Sequence, residues 1–508
     1  MRYLILIFFI WASCKPGNQN VQPEKELGVI SFEVNGEDQA VEVFKEGMLL
    51  LHSFEYADAA ERFQMAQELD PDMAMAYWGE ALTKNHPLWR YQNKVDAMEI
   101  LAKLGPNPEK RANKFISPLE KDLHQAIEIL YGEGSKSDRD KLYSDYLGEL
   151  REKYPENHEV ASLYALSVLG AVKEGRDENA YALGAKIAQG ILSENPNHPG
   201  ALHYLIHSYD DPEHAHLAKD AADKYAVVAP DAGHALHMPS HIYIALGLWD
   251  EVIRSNIDSW EASVARKDKK NLDNNAYNYH ALNWLMYGYL QLGQYEKAKN
   301  LVVNMIDYCT ELDAKRARSY LIMMKGAYLI ESDDWDKKII KDTFSFDDLN
   351  VQAQAVKHYT LAMADIQSES NNIDTYIDAI EESVKNAANE VLMRSTSTCS
   401  GNFINNTTSQ LDIDRARVIQ MELKGYKEWN KNNLEEADKW FKEATELEFN
   451  TSFQYGPPDI VKPSSELYAE FLEETGNLKE ARKYYKRTLE RAPKRKISQD
   501  GYNRLVEA

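Results

Sequence analysis

The sequence predicts an all-α protein: a superhelix of helix pairs stacked in series, an α-α solenoid. Two observations carry that expectation. Glycine and proline number 24 and 17 among 508 residues, about 8% of the chain against roughly 12% in average usage, so little punctuates its helices. From about Gln39 onward, apolar residues recur at helical spacing, and short patterns of Gly, Ala and aromatic residues return along the chain. The length exceeds that of one ordinary domain and suits an array. Charged residues at 27% and apolar residues at 44% fit neither a disordered chain nor a polytopic membrane protein. The net charge of −23 excludes nucleic acid as the natural partner, because phosphate binding needs a basic footprint.

Four segments are expected: a signal peptide over 1–13, a lipid-anchored flexible tether over 14–38, a repeat array with a His-rich groove over 39–345, and C-terminal helical repeats over 346–508. The first is an address. Arg2 supplies a positive charge, and Tyr3 to Ala12 is an apolar run too short to span a bilayer and of signal-peptide length. Its end, Ala12-Ser13-Cys14, resembles the bacterial lipobox; a plain secretory signal with an incidental cysteine is the competing reading. The lipobox resemblance implies cleavage before Cys14, lipid on its sulfur and acylation of the new amine. It implies a place at the bacterial cell envelope, on the outer membrane, with the lipid as the only membrane contact. Two or more acyl chains hold a protein stably where one does not. Lys15 to Leu27 has no apolar period and reads as the tether.

The array follows. One segment carries Gly47, Ala59, Phe63, Ala66 and Pro71; others carry Gly425, Ala437, Phe441 and Ala444, then Gly476, Ala481, Tyr485 and Pro493. Between them lie Gly247 with Trp249, and Gly293 with Tyr295 and Ala298. These intervals resemble the tetratricopeptide repeat, a two-helix unit with a period of roughly 34 residues. Small residues let the paired helices approach, aromatics fill the gap, and Pro ends the second helix. The resemblance implies a concave groove lined by the first helix of each pair, open to protein or peptide partners. Three stretches depart from the period: Leu104 to Asp140, Arg266 to Asn275, and the Ser/Thr/Asn-rich Arg394 to Gln410, expected to be a loop. A division is expected near Phe344 to Gln352.

Eight of the 14 histidines (198, 203, 207, 214, 216, 234, 237 and 241) fall in one short stretch, where chance would place about one. In the segment from Leu202 to Asp211, residues Leu202, Leu205, Ile206 and Tyr209 form a buried stripe. His203, His207 and then Asp210 or Asp211 share a second face. One repeat period on from 203, 207 and 209 stand His237, His241 and Tyr243, so His-x-x-x-His-x-Tyr recurs with the period of the fold. Equivalent residues of adjacent repeats point the same way, so four imidazoles should meet on one patch, with His234 and His280 at its rim. Pro239 either kinks the helix that bears His241 or opens it, leaving His234 and His237 on the preceding loop.

Three uses fit such a patch. Histidine is the commonest metal ligand, and with Asp210 or Asp211 the donors suit a divalent transition metal: Zn, Cu, Fe or Mn. Partly protonated imidazoles also suit a peptide terminus or small anion, and a wet groove tolerates histidine without any ligand. His214 and His216 are expected at an inter-helix turn and outside the site. His86, beside Trp89 and Arg90, borders the groove or caps a turn.

The runs His203-Tyr204-Leu205-Ile206-His207 and His234-Ala235-Leu236-His237-Met238-Pro239-Ser240-His241 resemble signatures of a group of bacterial tetratricopeptide-repeat lipoproteins. So do Ala76-Tyr77-Trp78-Gly79-Glu80-Ala81, Asn85-His86-Pro87-Leu88-Trp89, and Tyr455-Gly456-Pro457-Pro458 with Lys462-Pro463. The resemblance implies the fold and brings no activity with it. Peptide-binding members of the wider repeat family clamp a carboxylate with Lys and Asn on the groove face, where this chain carries His. There is no phosphate-binding loop and no G-x-S-x-G, and His158-Glu159 continues Val-Ala-Ser, so it is not H-E-x-x-H. The reading leans away from an enzyme, toward a membrane-anchored scaffold with a metal or ligand site. A metal-dependent enzyme or metal-handling protein is the second reading. The lipobox with a Tyr-rich composition (30 Tyr, 14 Phe) adds a third, an accessory lipoprotein of polysaccharide uptake or breakdown. Three cysteines, Cys14, Cys309 and Cys399, are too few for a disulfide framework, and pairing of the last two stays open.

Overall fold

The computed structural model describes residues 26–173, 175–341, 344–368, 370, 372–396, 408–452 and 456–507. The expected signal segment, Cys14, Cys399 and Tyr455 lie outside them. Among the described residues the chain is an α-α solenoid, helical throughout apart from one two-residue antiparallel ribbon pairing Asn85–His86 with Tyr91–Gln92.

The helix pairs form for the steric reason the sequence implies. Helix Asp38–His52 buries Ala40, Phe44, Gly47, Met48 and Leu51, one apolar stripe, and Tyr56–Leu69 answers with Ala59, Phe63 and Ala66. The Phe63 ring occupies the space a side chain would need at two glycines. A Cβ at Gly47 would sit 2.7 Å from it, and one at Gly79, on the next helix, 2.5 Å. Phe441 repeats the wedge against Gly425 and Tyr485 against Gly501, each with a 2.4 Å approach. One overlay is corrected. Gly476, like Gly247 and Gly293, has a positive φ (+86°, +65° and +68°) and sits in the turn between helices. The place that precedes Tyr485 as Gly47 precedes Phe63 belongs to Ala469, which is fully buried.

The range expected for the tether, 14–38, includes folded chain from residue 26 onward. Leu27 and Phe32 are buried, and the main chain of Val29 exchanges hydrogen bonds with Asn197 O (3.0 Å) and Asn195 Nδ2 (2.8 Å). Residues 26–37 are therefore an extended strap docked on the array. Leu104 to Asp140 holds a short inserted helix, Pro108–Ala112, and helix Pro118–Leu130, opened by a Ser117–Glu120 capping box. Arg266 to Lys270 is the last turn of the long helix Trp249–Lys270, closed by left-handed Asn271. Arg266 and Lys270 reach Asp58, and Lys270 also Glu61, tying the middle of the chain to its first repeat. Between Arg394 and Gln410, helix persists to Thr396 and resumes at Gln410; 397–407 lie outside the described residues. The expected division near 344–352 falls on irregular chain before helix Val351–Gln367, where Phe346 and Leu349 are buried.

The last repeats return to the middle of the array. Trp249 Nε1 donates to Lys494 O (3.0 Å), and the fully buried Arg495 binds Glu466 through two nitrogens (2.8 Å each), Glu331 (2.5 Å) and the Tyr287 hydroxyl (2.7 Å). Cys309 is a buried free thiol, its pKa pushed up to about 12 by burial. No helix among the described residues is long and apolar enough to cross a membrane.

Candidate metal centre

Four helices bring the histidines together. Helix Pro199–Ser208 is opened by His198, whose Nδ1 accepts from Ala201 N (3.2 Å), and carries His203 and His207 one turn apart. His234 and His237 lie on Gly233–His237, and His241 on Pro239–Ala245. Pro239 is the first residue of its short helix and so opens it, but Met238 before it keeps helical dihedrals (−54°, −36°), so His234 and His237 stay on a helical turn. The alternative of a loop bearing His234 and His237 is corrected by this geometry. His280 stands in the first turn of Tyr279–Gln291, which Asn278 caps.

These six side chains form two sets of three. In His203, His207 and His234 one ligand nitrogen from each lies within 4.8 Å of the others, and the same holds for His237, His241 and His280. Within the sets, His203 Nε2 and His207 Nε2 are 3.1 Å apart, and His237 Nε2 and His241 Nε2 are 3.2 Å apart. The His207 and His241 rings meet at 5.6 Å, so both pairs share one patch.

The opposite ring nitrogens are held by fixed partners. Asn256 Nδ2 donates to Val252 O (2.7 Å), which turns Asn256 Oδ1 toward His237 Nδ1 (2.7 Å) and makes that nitrogen the N–H. Asp210 Oδ2 takes the Nδ1–H of His241 at 2.5 Å. His203 Nδ1 donates to His52 O (2.7 Å). Three Nε2 atoms are thereby left as lone pairs aimed into the patch, each backed by a carbonyl, an amide or a carboxylate, as metal-bound histidines commonly are.

The two aspartates part company. Asp210 lies behind His241 and holds its tautomer. Asp211 is engaged elsewhere: it binds His214 Nδ1 (3.0 Å) and Arg176 (3.0 Å) and ties the turn after Ser208. The expectation that Asp210 or Asp211 completes the donor set is therefore corrected, because each carboxylate already serves another group. His214 precedes the 3₁₀ helix Ala215–Leu217 in that turn, and His216 is the middle residue of the helix.

Aromatic rings wall the cluster. Phe54, held at a left-handed φ of 56°, packs 4.3 Å from His203 and 5.5 Å from His234. Trp284 lies 4.5 Å from His241 and 4.9 Å from His237. The same indole meets Gly456, where a Cβ would come within 2.4 Å of it. Gly456 of the Gly-Pro-Pro run thus packs on a ring that walls the cluster, a link the sequence did not reveal. Burial among these rings holds His203, His207, His234 and His237 well below the usual imidazole range and His280 at about 3; neighbouring imidazoles add to the effect. His86 both borders the cleft and bonds a turn: its Nε2 donates to Thr83 O (3.1 Å) and its ring stacks on Tyr56 at 3.7 Å. Burial lowers it to about 4.

Beneath the centre lies a network that sequence reading missed. Glu159, fully buried, accepts from His52 Nε2 (2.8 Å) and His198 Nε2 (3.0 Å), while Tyr204 OH meets His52 Nδ1 (2.9 Å). Burial opposes its charge, but the two imidazoles outweigh burial and bring Glu159 down to about 2. Every ring nitrogen of this group has a hydrogen-bond partner, so it is a support for the His52 carbonyl that orients His203. Above the histidines opens a cleft of about 1870 Å³, lined by His207, His234, His241 and His280 together with Trp89, Tyr320 and Arg316.

No protein-family model and no curated protein sequence matches the chain. Among solved structures it is similar to a chain of the APC/C Cut9–Hcn1 hetero-tetramer (TM-score 0.38, 11% identity, 94% of this chain and 78% of that one). It is similar to yeast Tom70 (TM-score 0.34, 11% identity, 92% and 95%). A third likeness is to a signal-transduction ATPase with a tetratricopeptide-repeat sensor from Pyrococcus horikoshii (TM-score 0.29, 12% identity, 94% and 85%).

Proposed function

We propose that the chain is a helical-repeat binding scaffold whose cleft is organised by a divalent transition metal on His237, His241 and His280, and that lipid on Cys14 anchors it at the bacterial envelope. One observation carries the metal reading. His237 and His241 aim Nε2 lone pairs at each other across 3.2 Å, because both Nδ1–H groups are committed to Asn256 and Asp210. Two lone pairs at that distance need a cation between them. A proton would serve one pair only, whereas His280 converges on the same point. An ion with bonds of about 2.0–2.1 Å to both nitrogens would see them at roughly 100°, near the tetrahedral angle. With Asp210 behind the ligands, the donors are nitrogen alone, which favours Zn(II) or Cu(II) over Fe(II) and Mn(II).

The scaffold reading rests on the cleft. At about 1870 Å³ it exceeds the roughly 300–1,000 Å³ of small-molecule pockets and suits an extended partner such as a peptide. The lipid anchor rests on the Ala12-Ser13-Cys14 run. Metal analysis tests the central claim. Protein purified without chelator, or reloaded with Zn(II) and desalted, should retain zinc, and retention should fall in His241→Ala/His280→Ala. Protein that retains no zinc or copper and shows no rise in melting temperature with either ion would overturn it.

A further inference from the structure

We propose that the cleft holds a second divalent transition-metal ion, on His203, His207 and His234, so that six imidazoles form one two-ion centre. The proposal rests on the reading of His237, His241 and His280 as a metal site and extends it. The repeat architecture itself duplicates the seat. The pair His203/His207 recurs one repeat later as His237/His241, with Nε2 separations of 3.1 and 3.2 Å. In both seats the third imidazole comes from the start of the next inward-facing helix: His234 from Gly233–His237 and His280 from Tyr279–Gln291.

The second seat has its own chemistry. His203 Nδ1–H is spent on the His52 carbonyl, so its Nε2 is a lone pair. The backbone N–H of His234 is fixed by Glu55 Oε1 (2.8 Å), and its ring lies against Phe54. Its Nε2 is buried and has no hydrogen-bond partner in the protein. A His207 Nε2–H donated to His203 would satisfy that pair and leave His234 orphaned, at a cost buried polar groups rarely bear. An ion bound through Nε2 of His234 as well as His203 and His207 would satisfy all three nitrogens. One ion cannot serve both sets, because bonds of about 2.0–2.1 Å place even opposite ligands only about 4.2 Å apart, and the six nitrogens fall into two groups. The seats touch through His207 with His241 (5.6 Å) and His234 with His237 (6.0 Å), which places the ions as neighbours. The non-glycine left-handed φ of Phe54, at 56°, is the kind of strain held at functional sites.

Zinc stoichiometry and copper spectroscopy test this. Full mature protein, stripped with chelator, reloaded with Zn(II) and desalted, should carry two zinc ions per chain. His207→Ala/His234→Ala, checked for unchanged helicity, should carry one, as should His241→Ala/His280→Ala. Wild-type protein loaded with two equivalents of Cu(II) should give a paramagnetic resonance signal broadened or diminished by coupling, and the one-seat variants an isolated signal. A single zinc per wild-type chain, or wild-type zinc content in His207→Ala/His234→Ala, would remove the second seat and leave the first. No zinc in wild type would remove both. Should the variants not fold, the wild type decides alone: two uncoupled copper signals overturn the two-ion centre and coupled ones support it.

Discussion

Gly456 and Trp284, distant in the chain, are in direct contact: a Cβ on the glycine would lie 2.4 Å from the indole Cζ2. The same indole packs on His241 and His237. The returning C-terminal segment thus lies against the ring that packs on two ligands of the proposed His237 seat. Gly456 also has a φ of +110°, so Gly456→Ala incurs both overpacking and backbone strain. We expect a loss of about 2–4 kcal/mol and weakened zinc retention at the His237 seat. Gly476→Ala is the control. Its φ is +86° with nothing within 4 Å of the added methyl, so it should cost about 1 kcal/mol and leave zinc untouched. Thermal melts and zinc content read both.

Much of this was legible from residue spacing. The interval shared by Gly47 with Phe63 and Gly425 with Phe441 survives as a physical wedge because ring and glycine must meet at a fixed helical register. The echo of His203/His207 in His237/His241 likewise needed only a regular repeat. What the sequence hid lay in unpatterned or distant contacts. Leu27 and Phe32 dock an extended strap, which has no periodicity to announce it. Asp210 faces His241 while its neighbour Asp211 accepts from Glu213 N and His214 N in the following turn, and two adjacent identical residues carry no sign of which does which. His52, Glu159 and His198 are brought together over 107 and 39 residues of chain, and no local pattern marks them.

The difference between the two aspartates is measurable. Asp210→Asn should lower zinc affinity about 10–100-fold, the usual effect of losing the carboxylate behind a metal-bound histidine. Asp211→Asn should leave affinity unchanged and lower the melting temperature, because it loosens the turn held by His214 and Arg176. Competition titration against a chelator of known affinity separates them, and equal zinc affinities in the two variants would contradict the placement of Asp210. His214→Ala/His216→Ala should bind zinc as wild type does.

Cys14→Ser tests the anchor. The variant lacks the thiol proposed to receive lipid, and Lys15 to Leu27 has no apolar period to replace it. It should move from the membrane pellet to the soluble fraction, with its circular dichroism unchanged. Sedimentation with membranes after a high-salt wash would refute the lipobox reading.

The Glu159 network predicts how stability depends on acid. The His52 and His198 imidazoles bring this buried carboxyl to about 2 against burial, from roughly 4.3 in an unfolded chain. A carboxyl depressed in the folded state stabilises the fold fully above its unfolded value. As pH falls from about 4.3 toward 2, the unfolded chain takes up a proton that the folded chain refuses, so the contribution is lost across that window. A depression of that size corresponds to on the order of 3 kcal/mol. Glu159→Gln keeps the shape and cannot titrate. Its amide also cannot accept from both imidazoles, so the variant should be less stable than wild type at pH 7 by roughly 1–3 kcal/mol. The gap between the two proteins, measured by urea unfolding at successive pH values, should narrow below about pH 4.3. Because Glu159 fixes His52, whose carbonyl orients His203, the same substitution should weaken zinc at the His203 seat and spare the His237 seat. A stability gap constant from pH 7 to pH 2.5 would show that Glu159 is not held ionised by the two histidines.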